Sequence, residues 1–305
     1  MRGTDTNFPM GQDYPERSRS QQTIGATVIE KAVQMVSELV EGGRSNTVRA
    51  LDIACGPGNL TLVLHAALLK VLGDTRLELV GVDKTPESID RLVADSKGKI
   101  CGLVGSFFDE KLLPPAQTLI FSNEGLHWQP PREMDAIIYS LLGDAEKKAY
   151  CDLALESFTT ALRNIYNALS DGGVAVLQFG HEGQLANLWN LVDEVLNESE
   201  FSQYKAGINF PLFYPTLEQV ADSLRAAGFA GDKTTIEPFM QDLTEDSAAE
   251  ITAFFRAFSE PAFSQIMSNR SVLGAFYQRI EQRLGEINLD KFRKVWHRTL
   301  ITVSK

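Results

Sequence analysis

A short apolar run, Val48-Arg49-Ala50-Leu51-Asp52-Ile53-Ala54, passes directly into Cys55-Gly56-Pro57-Gly58-Asn59 and then into an amphipathic helical pattern over 60–72. Glycines in a strand-to-helix turn adopt backbone angles closed to other residues and let a ligand approach the main chain. A second buried strand, Leu77-Glu78-Leu79-Val80-Gly81-Val82-Asp83, ends on an acidic residue and is followed by a helix over 87–96. Strand, glycine loop, helix, strand and acidic residue in this order specify a parallel α/β sheet. Few other chain geometries accept the pattern.

The loop also discriminates among ligands. A dinucleotide fingerprint, G-x-G-x-x-G, would place its third glycine where Thr61 stands. Asp52, four residues before Gly56, is poorly suited to a pyrophosphate and well suited to a cation. Asp83, closing the second strand, is placed to accept hydrogen bonds from two ribose hydroxyls. After the third strand comes Gly105-Ser106-Phe107-Phe108-Asp109, where a hydroxyl and an aromatic ring either meet an adenine or form a turn with a core phenylalanine.

Helical spacing of Ile24, Val28, Ala32, Met35, Val36 and Leu39 predicts a helix over 21–41, ended by Gly42-Gly43. Later strands are expected at 117–121, 173–179, 233–237 and 299–303, with a long helical stretch over about 245–290. Together these give a doubly wound, mainly parallel seven-stranded sheet in one domain. The expected core is 21–184, 217–240 and 296–305. Residues 1–20, 185–216 and 241–295 are expected to form a helical cap over the carboxyl ends of the strands, where such sheets bind ligands.

Charge and cysteine usage narrow the function classes. The chain has 40 acidic and 29 basic residues, a net charge of −11, and no Lys/Arg-rich run, which argues against a nucleic-acid substrate. No segment reaches the ~20 uninterrupted apolar residues of a membrane helix. The first residues carry no apolar signal core, so a cytoplasmic location is expected. Cys55, Cys101 and Cys151 suggest neither a disulfide framework nor a zinc site, and His65, His181 and His297 stand too far apart in sequence to suggest a metal.

Four further stretches match one family in order, and a fifth matches it more weakly. Tyr14-Pro-Glu-Arg-Ser18-Arg-Ser-Gln21 resembles S-Y-A-x-N-S-x-x-Q, and Gly105-Ser106-Phe107-Phe108 with Leu113-Pro114 resembles G-S-F-Y-x-R-L-F-P. Ser122-Asn123-Glu124-Gly125-Leu126-His127-Trp128 resembles S-S-Y-S-L-H-W. Phe210-Pro211-Leu-Phe213-Tyr-Pro215-Thr216-Leu-Glu218-Gln-Val220 resembles I-P-x-Y-x-P-S-x-E-E-V, and Arg256-Ala257-Phe-Ser-Glu260-Pro261 is similar to R-A-x-x-E-P. With D-x-A-x-G-x-G as motif I, the chain resembles the SABATH family of S-adenosylmethionine-dependent carboxyl methyltransferases, on a Rossmann-like class I methyltransferase fold. It departs from that family in its shorter length, its C-G-P-G-N loop, and Glu124 in place of an aromatic residue.

The resemblance implies S-adenosylmethionine as cofactor, held by Tyr14, Ser18, Cys55, Asn59, Asp83, Lys84, Ser106 and Phe107. Asp52, Gly56, Gly58 and Ser122 complete that set. It implies a small carboxylic acid as partner, its oxygens held by Gln21 and Trp128, with His127, Glu124 and Phe213 in the same pocket. Gln21, Trp128 and His127 are thus the expected catalytic residues, and no metal is expected. An acid is already an anion at neutral pH and needs no general base. Aligning oxygen, methyl and sulfur is the main task. Transfer to nitrogen or to a phenolic oxygen stays open, with Glu124 as the feature favouring it, as does a cofactor-binding protein that transfers no methyl. Methyltransferases of trans-aconitate and juvenile hormone acid share the loop. A homodimer is compatible with the sequence, which does not set the oligomeric state.

Overall fold

The computed structural model describes residues 19–43, 47–72, 76–128, 144–207, 212–241, 247–292 and 296–305, with the side chains of 19–23, 144–147, 206–207, 261 and 291 outside that description. Among the described residues, a seven-stranded sheet forms the centre. In chain order the elements are α1 (Arg19–Glu41), β1 (Thr47–Ile53), α2 (Asn59–Leu72), β2 (Arg76–Asp83), α3 (Pro86–Asp95), β3 (Cys101–Val104) and β4 (Gln117–Asn123). There follow α4 (Asp144–Ala168), β5 (Leu169–Gly180), α5 (Ala186–Leu196), α6 (Leu217–Ala227), β6 (Thr234–Gln241), α7 (Ala248–Ile266), α8 (Arg270–Gly285), α9 (Leu289–Phe292) and β7 (Trp296–Ser304).

The strand order is β3-β2-β1-β4-β5-β7-β6. The first five pair in parallel, and β7 runs antiparallel to both β5 and β6. This is the doubly wound, mainly parallel sheet that the sequence pattern predicts. Winding reverses between β1 and β4, and at such a switch point the carboxyl ends of neighbouring strands leave a crevice. Pro238 lies on the edge strand β6, where the missing N–H disturbs no second ladder.

Strands buried on both faces need apolar residues at successive positions, and β1 and β5 supply them. One face, with Ala50, Phe121, Val174, Val176 and Leu300, packs under α1, α2 and α3. The other, with Leu51, Ile53, Ile120, Leu177, Phe179 and Ile301, packs under α4 and α6. A third apolar cluster joins α5, α7 and α8 to Trp296 at the start of β7. The sequence pattern predicts no element over 144–168, yet α4 is a helix of 25 residues there, burying Tyr150, Ala154, Phe158, Ala161, Leu162 and Ile165.

Two of the sequence matches mark the scaffold. Thr216 caps α6: its hydroxyl accepts the Gln219 N–H at 3.1 Å, while Gln219 Oε1 accepts the Thr216 N–H at 2.9 Å. Arg256 and Glu260 form an exposed ion pair one turn apart on α7. Such a pair contributes about 0.3–0.5 kcal/mol, and Arg256 also lies 5.2 Å from the Tyr277 ring centroid.

Candidate functional site

The β1–α2 turn packs three left-handed residues into five positions: Ala54 (φ 57°), Gly56 (φ 52°) and Gly58 (φ 88°). A Cβ on Gly58 would lie 2.4 Å from Leu92 Cδ1, so α3 packs against bare backbone there. Over Gly56, by contrast, a Cβ would meet nothing within 4 Å. The turn is closed on its α3 side and open at Gly56. The Cys55 N–H donates to Val82 O at 3.0 Å, which ties the turn to β2.

Asp83 is fixed from two directions. Its Oδ2 accepts the Gly56 N–H and its Oδ1 accepts the Thr85 N–H, each at 2.9 Å. A carboxylate has about four lone-pair positions, so each oxygen keeps one acceptor site. Lys84 is exposed beside it, and Asn59 opens α2, half-buried.

Beneath the turn, Asp52 is buried and accepts a 2.7 Å hydrogen bond from Thr61 Oγ1 on Oδ2. Burial pushes its carboxyl up to about 7, with Thr61 opposing and the charge of Asp83 reinforcing the shift. Thr61, which breaks the dinucleotide pattern, is thus the hydroxyl that braces Asp52. Burial, with the charges of Asp52 and Asp83, raises the Cys55 thiol well above its ordinary value, so Cys55 is no thiolate nucleophile.

Three residues expected at the cofactor also make scaffold contacts. Phe107 packs into the core with Leu51, Ile53 and Val82. Asn164 of α4 secures that loop, donating to Phe107 O at 3.1 Å and Phe108 O at 3.0 Å. Ser106 Oγ accepts the Phe108 N–H at 3.3 Å. Ser122 is fully buried and donates to Ile53 O at 3.0 Å, bracing the end of β4 against β1. Tyr14 and Ser18 lie outside the described residues. Gln21 lies on the first turn of α1, its side chain outside the description.

After β4 the chain turns at Gly125, where a Cβ would stand 2.6 Å from Ala54 Cβ and 2.7 Å from Ser122 Oγ. No side chain fits where this turn abuts the glycine loop, and the contact brings His127 and Trp128 to the same sheet edge as Gly56 and Asp83. His127 is buried, with its ring 5.9 Å from Trp128 and 5.6 Å from Tyr214. The Gly180 N–H donates to His127 Nδ1 at 3.4 Å, and burial lowers the ring to about 3. It is therefore neutral at physiological pH, and with Nδ1 accepting, its proton sits on Nε2. Trp128 is half-buried and makes a short antiparallel bridge with Leu212. Phe213 is buried edge-on against Phe158, its N–H donating to His127 O at 2.9 Å.

Glu124 is paired within the sheet edge. It sits at φ 61°, its N–H donates to Gln178 O at 2.9 Å, and its carboxylate pairs with the guanidinium of Arg298 on β7. Arg298 is fully buried and stacks 3.7 Å from the Trp296 ring centroid. The carboxylate expected to face the substrate is engaged by a cation of the core sheet. Strand-end Arg298 gave no signal in the sequence.

Among the described residues, no group of three or more His, Cys, Asp or Glu could hold a metal ion, and no helix is long and apolar enough to cross a membrane. No family model matches the chain, and no curated protein matches it in sequence. Solved structures do. "Loganic acid methyltransferase with SAH" superposes at a TM-score of 0.74 and 17% identity, over 100% of this chain and 98% of that one. The YcgJ protein of Bacillus subtilis gives 0.49 at 15% identity, over 90% and 98%. The cyclopropane synthase MmaA2 from Mycobacterium tuberculosis gives 0.47 at 13%, over 86% and 79%. The first likeness establishes the fold: this chain has the Rossmann-like fold of class I methyltransferases.

Proposed function

We propose that this chain is an S-adenosylmethionine-dependent methyltransferase that esterifies the carboxylate of a small organic acid. The observation that carries the reading is the Gly125 contact, which sets a nucleoside-binding turn and a His-Trp pair against each other at the switch point of the sheet. The residues present fit the cofactor: open backbone at Gly56, two unused acceptor sites on Asp83, and a buried carboxyl at Asp52 suited to a cation. When bound, S-adenosylmethionine supplies a methyl group already activated on a sulfonium. Trp128 and Gln21 would orient the acid oxygens. Neutral His127 would offer a hydrogen bond without competing for a proton. Residues 1–20, 185–216 and 241–295 would close over the pair and exclude water. The pairing of Glu124 with Arg298 supports the carboxylate reading, because the feature favouring an amine acceptor is occupied. The test is incubation with methyl-labelled cofactor and a panel of acids, phenols and amines. Mass spectrometry with ester hydrolysis locates the methyl, and a label on nitrogen alone would overturn the carboxylate assignment.

Trp128→Phe keeps the aromatic body and removes the indole N–H. Losing a hydrogen bond to a charged group at about 1.5–3 kcal/mol should lower kcat/KM for the acid by roughly 10- to 150-fold. Affinity for the cofactor should stay within about twofold of wild type. Gln21→Ala should behave the same way. A fall in cofactor affinity in either variant would move that residue to the other half of the site.

Asp52 gives cofactor binding a pH dependence. Its carboxyl titrates near 7 in the free protein, and a cationic ligand favours the ionised form. Affinity for S-adenosylmethionine should therefore rise with pH by up to about tenfold per unit below 7 and level off above it. The free fold shows the opposite trend. A carboxyl held above its unfolded value contributes stability below about pH 4, and loses it as pH rises through 7. Titration calorimetry between mildly acidic and mildly basic buffers should show this rise, and Asp52→Asn should abolish it.

A further inference from the structure

The sheet face beneath α1 is apolar through its middle and polar at its carboxyl edge. Phe121, Val176 and Leu300 belong to the apolar part. Side chains alternate along a strand, so the next residues on that face are Asn123, Gln178 and Arg298. Register sets Asn123 beside Gln178, and Gln178 beside Leu300. Glu124, turned by its positive φ, reaches Arg298 at the same edge.

Gln178 is fully buried, and no described group meets its Nε2 or its Oε1. Asn123 Oδ1, Gln184 Oε1 and Trp296 Nε1 are buried without a described partner as well. Native proteins keep few such atoms, and four residues contributing them to one edge mark a place where polar groups serve something other than the fold. The edge adjoins the acceptor half of the site. Gly180, two residues beyond Gln178, donates to His127, and Gln184 packs so closely on Gly180 that a Cβ there would meet its Cγ at 2.7 Å.

We propose that this patch is the specificity surface of the acceptor site, and that it selects acids bearing a hydroxyl or carboxamide away from the reacting carboxylate over hydrocarbon acids. The inference rests on the acid-methylating function proposed above. Gln178 presents a donor and an acceptor side by side, which a hydroxyl or carboxamide can answer with both of its own roles. Asn123 adds an acceptor and Trp296 a donor. Glu124 and Arg298 neutralise each other, so the patch favours a neutral polar group over a second ion.

The test uses the full chain saturated with S-adenosylhomocysteine and matched ligand pairs: hexanoate against omega-hydroxyhexanoate, and benzoate against carbamoylbenzoate. Titration calorimetry should find the polar member of at least one pair bound about tenfold or more tighter, as one buried hydrogen bond would give. Gln178→Leu should bring that ratio close to one while leaving the midpoint of thermal unfolding unchanged or higher. A glutamine kept for the fold alone would lower it. Should Gln178→Leu not fold, Gln178→Met and Asn123→Leu give the same reading. No polar preference in wild type, no binding by any pair member, or a preference that survives these substitutions overturns the proposal. Turnover with methyl-labelled cofactor separates the two readings. Gln178-dependent binding without ester would sink carboxyl methylation and leave the patch standing. Ester formed without polar preference would do the reverse.

Discussion

Replacing Asp83 by alanine is expected to weaken S-adenosylmethionine binding by about 2–3 kcal/mol, roughly 30- to 150-fold, as for loss of hydrogen bonds to a charged group. The size follows from how the carboxylate is held. The Gly56 and Thr85 amides fix one lone pair on each oxygen, so the remaining two point in set directions before any ligand arrives. Little ordering is then left for binding to offset. Asp83→Asn should lose nearly as much, because whichever way the amide turns, its NH2 faces one of those two backbone donors. A second readout follows from the neighbouring charge. Asp83 helps to hold the Asp52 carboxyl up near 7, so Asp83→Ala should move the pH dependence of residual binding to lower pH. Titration calorimetry across pH measures both effects. Unchanged affinity in a folded Asp83→Ala protein would remove this residue from the site.

Those parts of the molecule that backbone geometry dictates were legible in the chain. Gly56 and Gly58 stand where only a left-handed turn fits, and Asp83 stands where a strand ends beside it, so loop and fold follow from spacing. Ala54 fills the usual first glycine of the motif and still takes φ 57°. Local pattern failed at α4, whose buried stripe of Tyr150, Ala154, Phe158, Ala161, Leu162 and Ile165 includes two alanines and a tyrosine and contrasts weakly with its polar face. Some motif residues also carry scaffold contacts. Ser122, Phe107 and Thr216 match family positions and also form a strand brace, core packing and a helix cap. A motif records what a position holds and leaves open whether ligand or scaffold requires it. Arg298 was invisible for another reason. A lone arginine near the start of a strand reads as a solvated end, and only the tertiary pairing of β7 with β5 carries it to Glu124. Gln178 is similar: within Val-Leu-Gln-Phe it reads as an ordinary break in an apolar run.

Breaking the Glu124–Arg298 pair should produce the largest stability loss of any single substitution at this edge. Arg298 has no exposed surface and stacks on the Trp296 ring, so neutralising Glu124 removes the carboxylate that balances a buried guanidinium. Removing one member of a buried pair typically costs about 3–5 kcal/mol. In a chain of this size, Glu124→Gln should thus lower the thermal midpoint by about 5–10 °C. Replacing both members, Glu124→Gln with Arg298→Met, removes the stranded charge and should recover most of that loss. The backbone makes a separable contribution. Glu124 holds φ 61°, a conformation that disfavours residues with a Cβ by roughly 1 kcal/mol. Glu124→Gly relieves that strain while losing the same charge, so it should unfold at a higher temperature than Glu124→Ala. The pairing also limits what restoring the family's aromatic residue can achieve. Glu124→Tyr alone strands Arg298, and a shift of preference toward simple acids should be measurable only with Arg298→Met beside it. Calorimetric unfolding of the four variants, Gln, Ala, Gly and the double replacement, decides the matter. A Glu124→Gln protein as stable as wild type would mean that Glu124 is not what satisfies the buried arginine.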